Sequence, residues 1–554
     1  MVQWIVDQCV SVGIRQLVFS PGSRNSPFAI AFHAEPRIQI RVVHDERAAA
    51  FIALGLAQTL QEPVALCCTS GSACLNYYPA IAEAYYRNIP LLAITADRPA
   101  EWINQGDGQT IVQKEVFGAH ALAYLELDES GFGTQPSTET QHQMQAFLQH
   151  LSADWKGPIQ LNVGLNEPLY QQAPRQHFPL LSKQESTTKL AALPDFSCLS
   201  HQKIMILIGQ MTPNSRFERA LQKLATNSNV VVLVENTSNV QDERFNACID
   251  RSLNGFEHVD PSYRPDVLLS FGGAIVSKRI KAYLRQQPVR LHWRIAFDFP
   301  EMDTYRCLTQ HVALDGADFL EALIAADCLP ACHNYFGKWK GLDYHAKDQA
   351  ATFDFEQESL TDIAVYDAFM QQLKGPAILH LANSSVVRYA QLFDPIQQVR
   401  YESNRGTSGI DGSVSTAVGA ALAKPEHPHY LLCGDISLIY DSNAFWTRPF
   451  PKNLKILVIQ NFGGGIFKII PGPAASELCV DYFEAKHQQD PAQLAAAFGI
   501  KTTCITKFSE LTDALLTWID PSNDIQLLQV QTNDALNANE LERYFSHLKQ
   551  PFIS

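Results

Sequence analysis

No apolar run in the 554 residues reaches the roughly 18–20 needed to cross a bilayer. The start, Met1-Val2-Gln3-Trp4-Ile5-Val6-Asp7, lacks the basic n-region and small-residue cleavage site of a signal peptide. It reads as an amphipathic helix already under way, so residues upstream of Met1 are expected. Positive charge is also scarce: 43 Lys and Arg against 57 Asp and Glu give a formal net charge of −14. That argues against a nucleic-acid partner, which needs a basic face to neutralise phosphates. A local Arg cluster for a small anion is still allowed. The twelve Cys show no paired metal spacing. Cys328 and Cys332 precede His333, but no second Cys/His pair completes a zinc site. Buried free thiols in a reducing cytoplasm are the expectation. Finally, no Gly-x-Gly-x-x-Gly turn follows the first strand with an acidic residue about 20 positions on, which speaks against a nicotinamide-dependent dehydrogenase.

What is present is a long α/β alternation. At about 100–200 residues per domain the length implies about three domains. Strands are expected at Gln16-Leu17-Val18-Phe19, Arg41-Val42-Val43, 63–68, 90–95 and 158–163, with helical patterns between them. They resume at 204–208, 230–234 and 267–271, and again at 377–380, 430–433 and 456–459. Continuous apolar runs alternating with helices mean parallel sheets covered on both faces. We therefore expect three doubly wound domains, at 1–170, 195–335 and 355–554. A Gln- and Pro-containing segment from about Gln171 to Pro194 reads as a linker, and a second polar stretch runs from about His333 to Thr361. Thr69-Ser70-Gly71 and Thr407-Ser408-Gly409 suggest a faint echo between the outer domains, though chance produces matches this short. Ligands in such folds sit at the carboxyl ends of strands.

Two strand ends carry the clearest chemistry. Gly434-Asp435-Ile436-Ser437 follows one buried strand, and Gln460-Asn461-Phe462-Gly463-Gly464-Gly465 follows the next, with Asn461 26 positions after Asp435. That interval fits a helix and a returning strand, so a carboxylate and a carboxamide would lie side by side. Mg²⁺ takes hard oxygen ligands and usually shares them with phosphate; Mn²⁺ accepts the same set. Asp435 would supply charge, Asn461 a neutral oxygen, and Gly463 a backbone carbonyl. Gly-Asp and Gly-Gly are also ordinary turn dipeptides, so either half alone is weak. A third candidate is Glu46 in His44-Asp45-Glu46-Arg47-Ala48-Ala49-Ala50, after a strand and opening a small-residue helix. Desolvation there would raise its pKa and favour proton sharing. By itself it would merely complement a helix N-terminus.

Together these segments resemble the signature of thiamine-diphosphate-dependent enzymes, which runs Gly-Asp, some two dozen residues, then Asn. Ile436 stands where that family usually has Gly, and Gln460 replaces the first of its usual Asn pair. The resemblance implies that Glu46 hydrogen-bonds the cofactor's aminopyrimidine ring and drives the tautomer that deprotonates the thiazolium. It implies cofactor contacts from Ser408, Gly409, Ile410, Gly434, Asp435, Ile436, Ser437, Asn461, Gly463, Gly464, Ile466 and Phe467, with Ile410 an apolar wedge or else a core residue. It implies a pyrimidine-binding first domain and a diphosphate-binding third. It also implies a homodimer with sites at the subunit interface, either alone or paired into a tetramer.

Further segments narrow the resemblance. Ser20-Pro21-Gly22-Ser23-Arg24-Asn25-Ser26-Pro27, Thr95-Ala96-Asp97-Arg98-Pro99, Asn383-Ser384-Ser385-Val386-Val387-Arg388, 403–412 and 462–467 are similar to the MenD family, the 2-succinyl-5-enolpyruvyl-6-hydroxy-3-cyclohexene-1-carboxylate synthases of menaquinone biosynthesis. This implies decarboxylation of 2-oxoglutarate and addition of the remaining four-carbon unit to isochorismate. Both substrates carry two carboxylates, which Arg forks bind bidentately. Arg24, Arg98, Arg388 and Arg405, with Lys278 and Arg279 from the middle domain, are the candidate cations. Ser23, Ser384 and Gln109 are candidate donors to substrate. Another thiamine-dependent decarboxylase or an acetohydroxyacid synthase is the alternative, disfavoured because pyruvate offers one carboxylate. A non-catalytic binding protein on the same fold is a third. No His other than His44 lies in these segments, which suits chemistry carried by a cofactor.

Overall fold

Strands buried at every position have no face to give to water, and they form the centres of the sheets. β3 (Val64–Cys68), β4 (Leu91–Asp97) and β6 (Ile159–Gly164) are buried throughout. They sit inside a six-stranded sheet of order β2-β1-β3-β4-β6-β5, with β1 (Gln16–Phe19), β2 (Gln39–Val42) and β5 (Tyr124–Asp128) completing it. A five-stranded sheet of order β11-β10-β9-β7-β8 follows, from β7 (Ile204–Ile208), β8 (Val230–Val234), β9 (Val267–Phe271), β10 (Leu291–Ile295) and β11 (Gln310–Val312). The third sheet has order β13-β12-β14-β15-β17-β16. Its strands are β12 (Ala377–Leu381), β13 (Val399–Glu402), β14 (His429–Gly434), β15 (Leu454–Gln460), β16 (Thr502–Ile505) and β17 (Leu527–Gln531). All three sheets are parallel, the arrangement the alternating pattern demands. The structure, a computed structural model, describes residues 1–132, 135–170, 178, 193–254, 261–286, 288–470 and 472–549. Most of the expected linker, at 171–177 and 179–192, lies outside the described residues.

The first and third sheets share one strand order, counted along the chain. The echo between the outer domains is therefore real, but the tripeptides that suggested it are out of register. Thr69-Ser70-Gly71 follows the third strand of its sheet, whereas Thr407-Ser408-Gly409 follows the second of its own. The counterpart of Thr69 is Asp435. The strands not expected from the sequence are β5, β11, β13 and β16 at sheet edges and β10 and β17 inside their sheets; polar residues such as Glu126, His292, Arg294 and Gln529 break their apolar runs. The polar stretch 333–361 contains a helix, Tyr335–Ala351, that buries Tyr335 and Trp339. Seven of the twelve Cys are buried; Cys198, Cys332 and Cys504 are exposed, so the buried-thiol expectation fails at those three. Among the described residues no helix is long and apolar enough to cross a membrane.

Residues gather into two compact units. One comprises Met1–Thr188, Gly406–His429 and Tyr440–Leu454; the other Lys189–Arg405, Tyr430–Ile439 and Lys455–Ser554. In the first unit the helices Glu46–Leu60 and Ser413–Ala423 cross on glycines. A Cβ on Gly55 would lie 2.1 Å from the Thr416 carbonyl oxygen, and one on Gly419 2.1 Å from that of Ile52. Gly55→Ala would gain about 1 kcal/mol in helix propensity, but it forces two backbones apart at a cost of about 1–3 kcal/mol or more. Overpacking should win, so urea unfolding of this variant is expected at a lower midpoint. An unchanged or raised midpoint would mean that the crossing is looser than described.

Candidate active site

The switch point of each outer sheet, where neighbouring strands leave in opposite directions, lies between its first and third strands: β1 and β3, and β12 and β14. The candidate residues collect at the carboxyl ends of these strands and of those beside them.

In the first unit, Asp45 caps the helix Glu46–Leu60 by accepting from the Ala48 N–H at 2.8 Å, which puts Glu46 at the first helical position. Glu46 is half-buried, and burial raises its carboxyl above the ordinary value, its own backbone hydrogen bond opposing and Asp45 adding to the rise. Among the described residues no side chain hydrogen-bonds its carboxylate, which leaves that carboxylate available to a ligand. The flanks of Glu46 are held from 440–446. Asn443 Nδ2 donates to Asp45 Oδ2 at 2.6 Å, Arg47 donates to the Tyr440 carbonyl at 2.6 Å and covers its ring, and His44 stacks on Trp446 at 4.8 Å. Asp441, whose carboxyl burial pushes up to about 7, accepts from the Ser415 N–H and hydroxyl and so caps the helix Ser413–Ala423. Glu83, fully buried, accepts from the Gly406 and Thr407 N–H groups and the Thr407 hydroxyl, fixing the loop that carries Ser408 (φ 62°), Gly409 and Ile410. Gly412 closes that loop at φ 71°, where a Cβ would enter the Phe51 ring. Ile410 is 38% exposed and is not a core residue.

The same unit holds Arg24, Arg98, Ser23 and Gln109. Arg24 is buried; it donates to the Leu165 carbonyl at 3.0 Å and pairs with Glu167 at 3.3 Å, and its Nε is buried with no hydrogen-bond partner. Burial and the neighbouring Arg98 lower its pKa. Arg98 spends its donors on Asp107, Ser70 and the Gly108 carbonyl, at 2.6, 3.1 and 2.7 Å. As the structure stands it braces the turn. Gln113, in the same segment as Gln109, accepts from the Gly71 N–H at 2.8 Å and fixes that turn; Gln109 and Ser23 are exposed.

In the second unit, Gly434 ends β14 and Asp435 opens the helix Asp435–Tyr440. A Cβ on Gly434 would meet nothing within 4 Å, so open space lies beside Gly434. Asp435 is 1% exposed. Its Oδ1 accepts from Ile436 N at 2.7 Å, and its Oδ2 from Phe462 N at 2.7 Å and Asn461 N at 3.2 Å. The turns after β14 and β15 are thereby locked together on one carboxylate. Burial raises its pKa despite those bonds and His487. Asn461 donates Nδ2 to Asp362 Oδ2 at 3.2 Å, and among the described residues its Oδ1 accepts no hydrogen bond. At Gly463 a Cβ would lie 3.0 Å from both Glu484 Cγ and its carbonyl oxygen, a tight fit; Gly464 N–H donates to that carbonyl at 2.7 Å. Ser437 and Ile466 are buried, and Phe467 packs on Phe483. Among the described residues no cluster of three His, Cys, Asp or Glu could hold a metal. A cation here must draw on amide and carbonyl oxygens. A buried carboxylate, an unoccupied carboxamide oxygen, a glycine carbonyl and open space beside Gly434 fit a hard divalent cation with phosphate oxygens. His487, whose Nε2 lies 3.3 Å from Asp435 Oδ2, lies outside the segments singled out in the sequence.

The cations of this unit converge only in part. Arg405 is buried and donates to Asn383 Oδ1 at 2.6 Å. Arg388, half-buried, donates to the Ser384 carbonyl, and Ser384 itself takes φ 73°. Burial raises the Asp250 carboxyl, while the Ser277 hydroxyl and the charges of Arg279, Arg388 and Lys281 lower it. Lys281 was not among the expected residues; Lys278 is exposed.

The thiamine pyrophosphate enzyme N-terminal TPP binding domain matches residues 1–116, the middle domain of thiamine pyrophosphate enzymes 167–373, and the C-terminal TPP binding domain 384–529. Proteins named 2-succinyl-5-enolpyruvyl-6-hydroxy-3-cyclohexene-1-carboxylate synthase are similar over nearly the whole chain. That of Christiangramia forsetii is 38% identical, covering 98% of this chain and 98% of its own. That of Flavobacterium psychrophilum is 37% identical over 99% and 98%. That of Cytophaga hutchinsonii is 34% identical over 98% of each.

Proposed function

The chain belongs to the 2-succinyl-5-enolpyruvyl-6-hydroxy-3-cyclohexene-1-carboxylate synthase family of thiamine pyrophosphate enzymes, and from that membership we propose that it decarboxylates 2-oxoglutarate and joins the remaining four carbons to isochorismate in menaquinone biosynthesis. Thiamine diphosphate, when bound, supplies the nucleophilic carbon and the electron sink that both stages need. The observation that carries the reading is the Asp435 carboxylate, which accepts from the Ile436, Asn461 and Phe462 N–H groups at two strand ends; within the other unit, a half-buried Glu46 whose carboxylate no described side chain hydrogen-bonds supports it.

The chain's own residues divide the work. Asp435, Asn461 and the Gly463 carbonyl would hold Mg²⁺ or Mn²⁺, and the glycine turns would take the diphosphate. Glu46 would hold a proton at the aminopyrimidine ring, its raised pKa suiting it to share that proton. Arg24 offers an unpartnered buried Nε, and Arg388, Arg405, Arg279 and Lys278 offer guanidinium or ammonium groups to substrate carboxylates. Arg98 would have to release Asp107 or act through the turn it braces. Ile410 would press on the cofactor from an exposed loop. Residues 1–170, 195–335 and 355–554 would serve as pyrimidine-binding, central and diphosphate-binding domains. The protein would work in the cytoplasm as a homodimer, the Glu46 half-site of one subunit completing the metal half-site of its partner.

The test is CO₂ release from 2-oxoglutarate with thiamine diphosphate and Mg²⁺, with and without isochorismate. Fast turnover only with isochorismate, giving the succinyl adduct, is expected. Turnover to a free aldehyde without isochorismate would reassign the protein to simple decarboxylation, and preference for pyruvate would point to acetohydroxyacid chemistry.

A further inference from the structure

A side-chain amide can ligate a metal only through its oxygen, so something must decide which way it faces. We propose that Asp362 is the positioning residue that makes Asn461 a metal ligand, by taking its carboxamide nitrogen and leaving Oδ1 as the ligating atom. The inference rests on the reading that Asp435 and Asn461 hold a cation.

Three elements set the geometry. Asp362 opens the helix Asp362–Gln372, Thr532 follows β17, and Asn537 lies on the helix Asp534–Leu548. Asp362, Asn461, Thr532 and Asn537 are all buried. The Asp362 N–H donates to Asn537 Oδ1 at 2.8 Å, so the Asn537 amide is fixed with its nitrogen toward the Asp362 carboxylate. That nitrogen donates to Asp362 Oδ1 at 2.8 Å, and the Thr532 hydroxyl donates to the same oxygen at 2.6 Å. Only Oδ2 is left for Asn461, and an ionised carboxylate only accepts. Asn461 must therefore present Nδ2, as it does at 3.2 Å. The backbone holds the other end, since Asn461 N–H donates to Asp435 Oδ2 at 3.2 Å. The orientation of the neutral ligand follows from a chain of donors that begins at one main-chain N–H.

The network predicts what an isosteric change would do. In Asp362→Asn, Thr532 and Asn537 still donate toward one position and claim the new amide oxygen. Its nitrogen then faces Asn461, whose best response is to turn Oδ1 inward and Nδ2 outward, removing a metal ligand without removing an atom from it. The exchange Asp362→Asn with Asn461→Asp keeps the charge and the volume. The nitrogen at position 362 then donates to one oxygen of the new carboxylate and leaves the other for the cation.

The experiment is Mn²⁺ binding by the full-length protein in saturating thiamine diphosphate, read as loss of the free-ion paramagnetic resonance signal. Asp362→Asn should bind Mn²⁺ about 10–100-fold more weakly than the wild type, as other residues behind metal ligands do. The exchanged double variant should recover most of that loss. A merely structural Asp362 would lower the melting temperature without metal and leave the Mn²⁺ affinity of the folded protein alone. Folded Asp362→Asn with wild-type affinity overturns the inference. If that variant does not fold, the double variant decides: folded and binding supports the inference, folded and not binding overturns it. Asp435→Asn separates the two levels. Should it leave Mn²⁺ affinity unchanged, the metal reading itself fails; should it abolish binding while Asp362→Asn does not, only the role of Asp362 is lost.

Discussion

Glu46→Gln should slow CO₂ release from 2-oxoglutarate in the presence of isochorismate by about 10²–10⁴-fold, the usual worth of a positioned proton-transfer group. Stability should barely change. Glutamine keeps the length and a hydrogen-bonding oxygen but cannot hold or give up a proton. The competing account makes Glu46 a charge that complements the helix opening at Asp45. That account is worth about 0.3–1 kcal/mol of stability and nothing in rate. The two differ so far in size that one comparison decides. Two observations favour the catalytic role. Burial holds the carboxyl above its ordinary value, which a purely stabilising charge would not gain from. The helix terminus is also already satisfied by Asp45, which caps Ala48 N–H and is itself held by Asn443. A variant that melts like the wild type, still takes up cofactor and loses less than tenfold in rate would sink the proposed role.

Glu46 and Asp435 could be singled out as candidates because a local pattern marks each of them. A carboxylate after a buried strand, opening a helix of small residues, or a Gly-Asp turn before an apolar helix, can be read from a handful of consecutive positions. The residues that brace the neighbouring loops and side chains cannot. Glu83 fixes the Gly406 loop from more than 300 positions away, and Asp362 meets Asn461 across 99. Nothing near either one in sequence marks it as more than an ordinary helix acid. His487 reaches Asp435 only because the chain returns after the turn at Gly463, where its N–H donates to the Phe462 carbonyl at 3.1 Å. The arginines show the opposite failure. Their residue type and turn context pointed to anion binding, but sequence does not show what their donors already touch, and Arg98 turns out to be engaged by Asp107, Ser70 and Gly108. The same limit governs the strands. β3 and β4 declare themselves by unbroken apolar runs, whereas β5, at a sheet edge, mixes Tyr124, Glu126 and Asp128 into a segment with no such run.

Asp435→Asn should abolish stabilisation by metal and cofactor while leaving the metal-free protein folded. The magnitudes oppose each other in the apo state. The three backbone N–H groups of Ile436, Asn461 and Phe462 surround both carboxylate oxygens, so an amide nitrogen must face at least one of them. An unsatisfied buried donor there costs about 1–3 kcal/mol. Against this, the substitution removes a buried charge whose pKa the fold raises, so the native state was already bearing a desolvation cost at neutral pH. The two terms offset, and the apo melting temperature should move only modestly downward. The holo state has no such compensation. A ligand at 100 times its dissociation constant stabilises a protein by about 2.7 kcal/mol. The wild type should show that gain on adding Mg²⁺ with thiamine diphosphate, and the variant should show almost none. A variant that melts as far above its apo form as the wild type does would place the metal elsewhere. A variant that unfolds without ligand would mean that the three N–H bonds, and not the charge, are what the site most needs from Asp435.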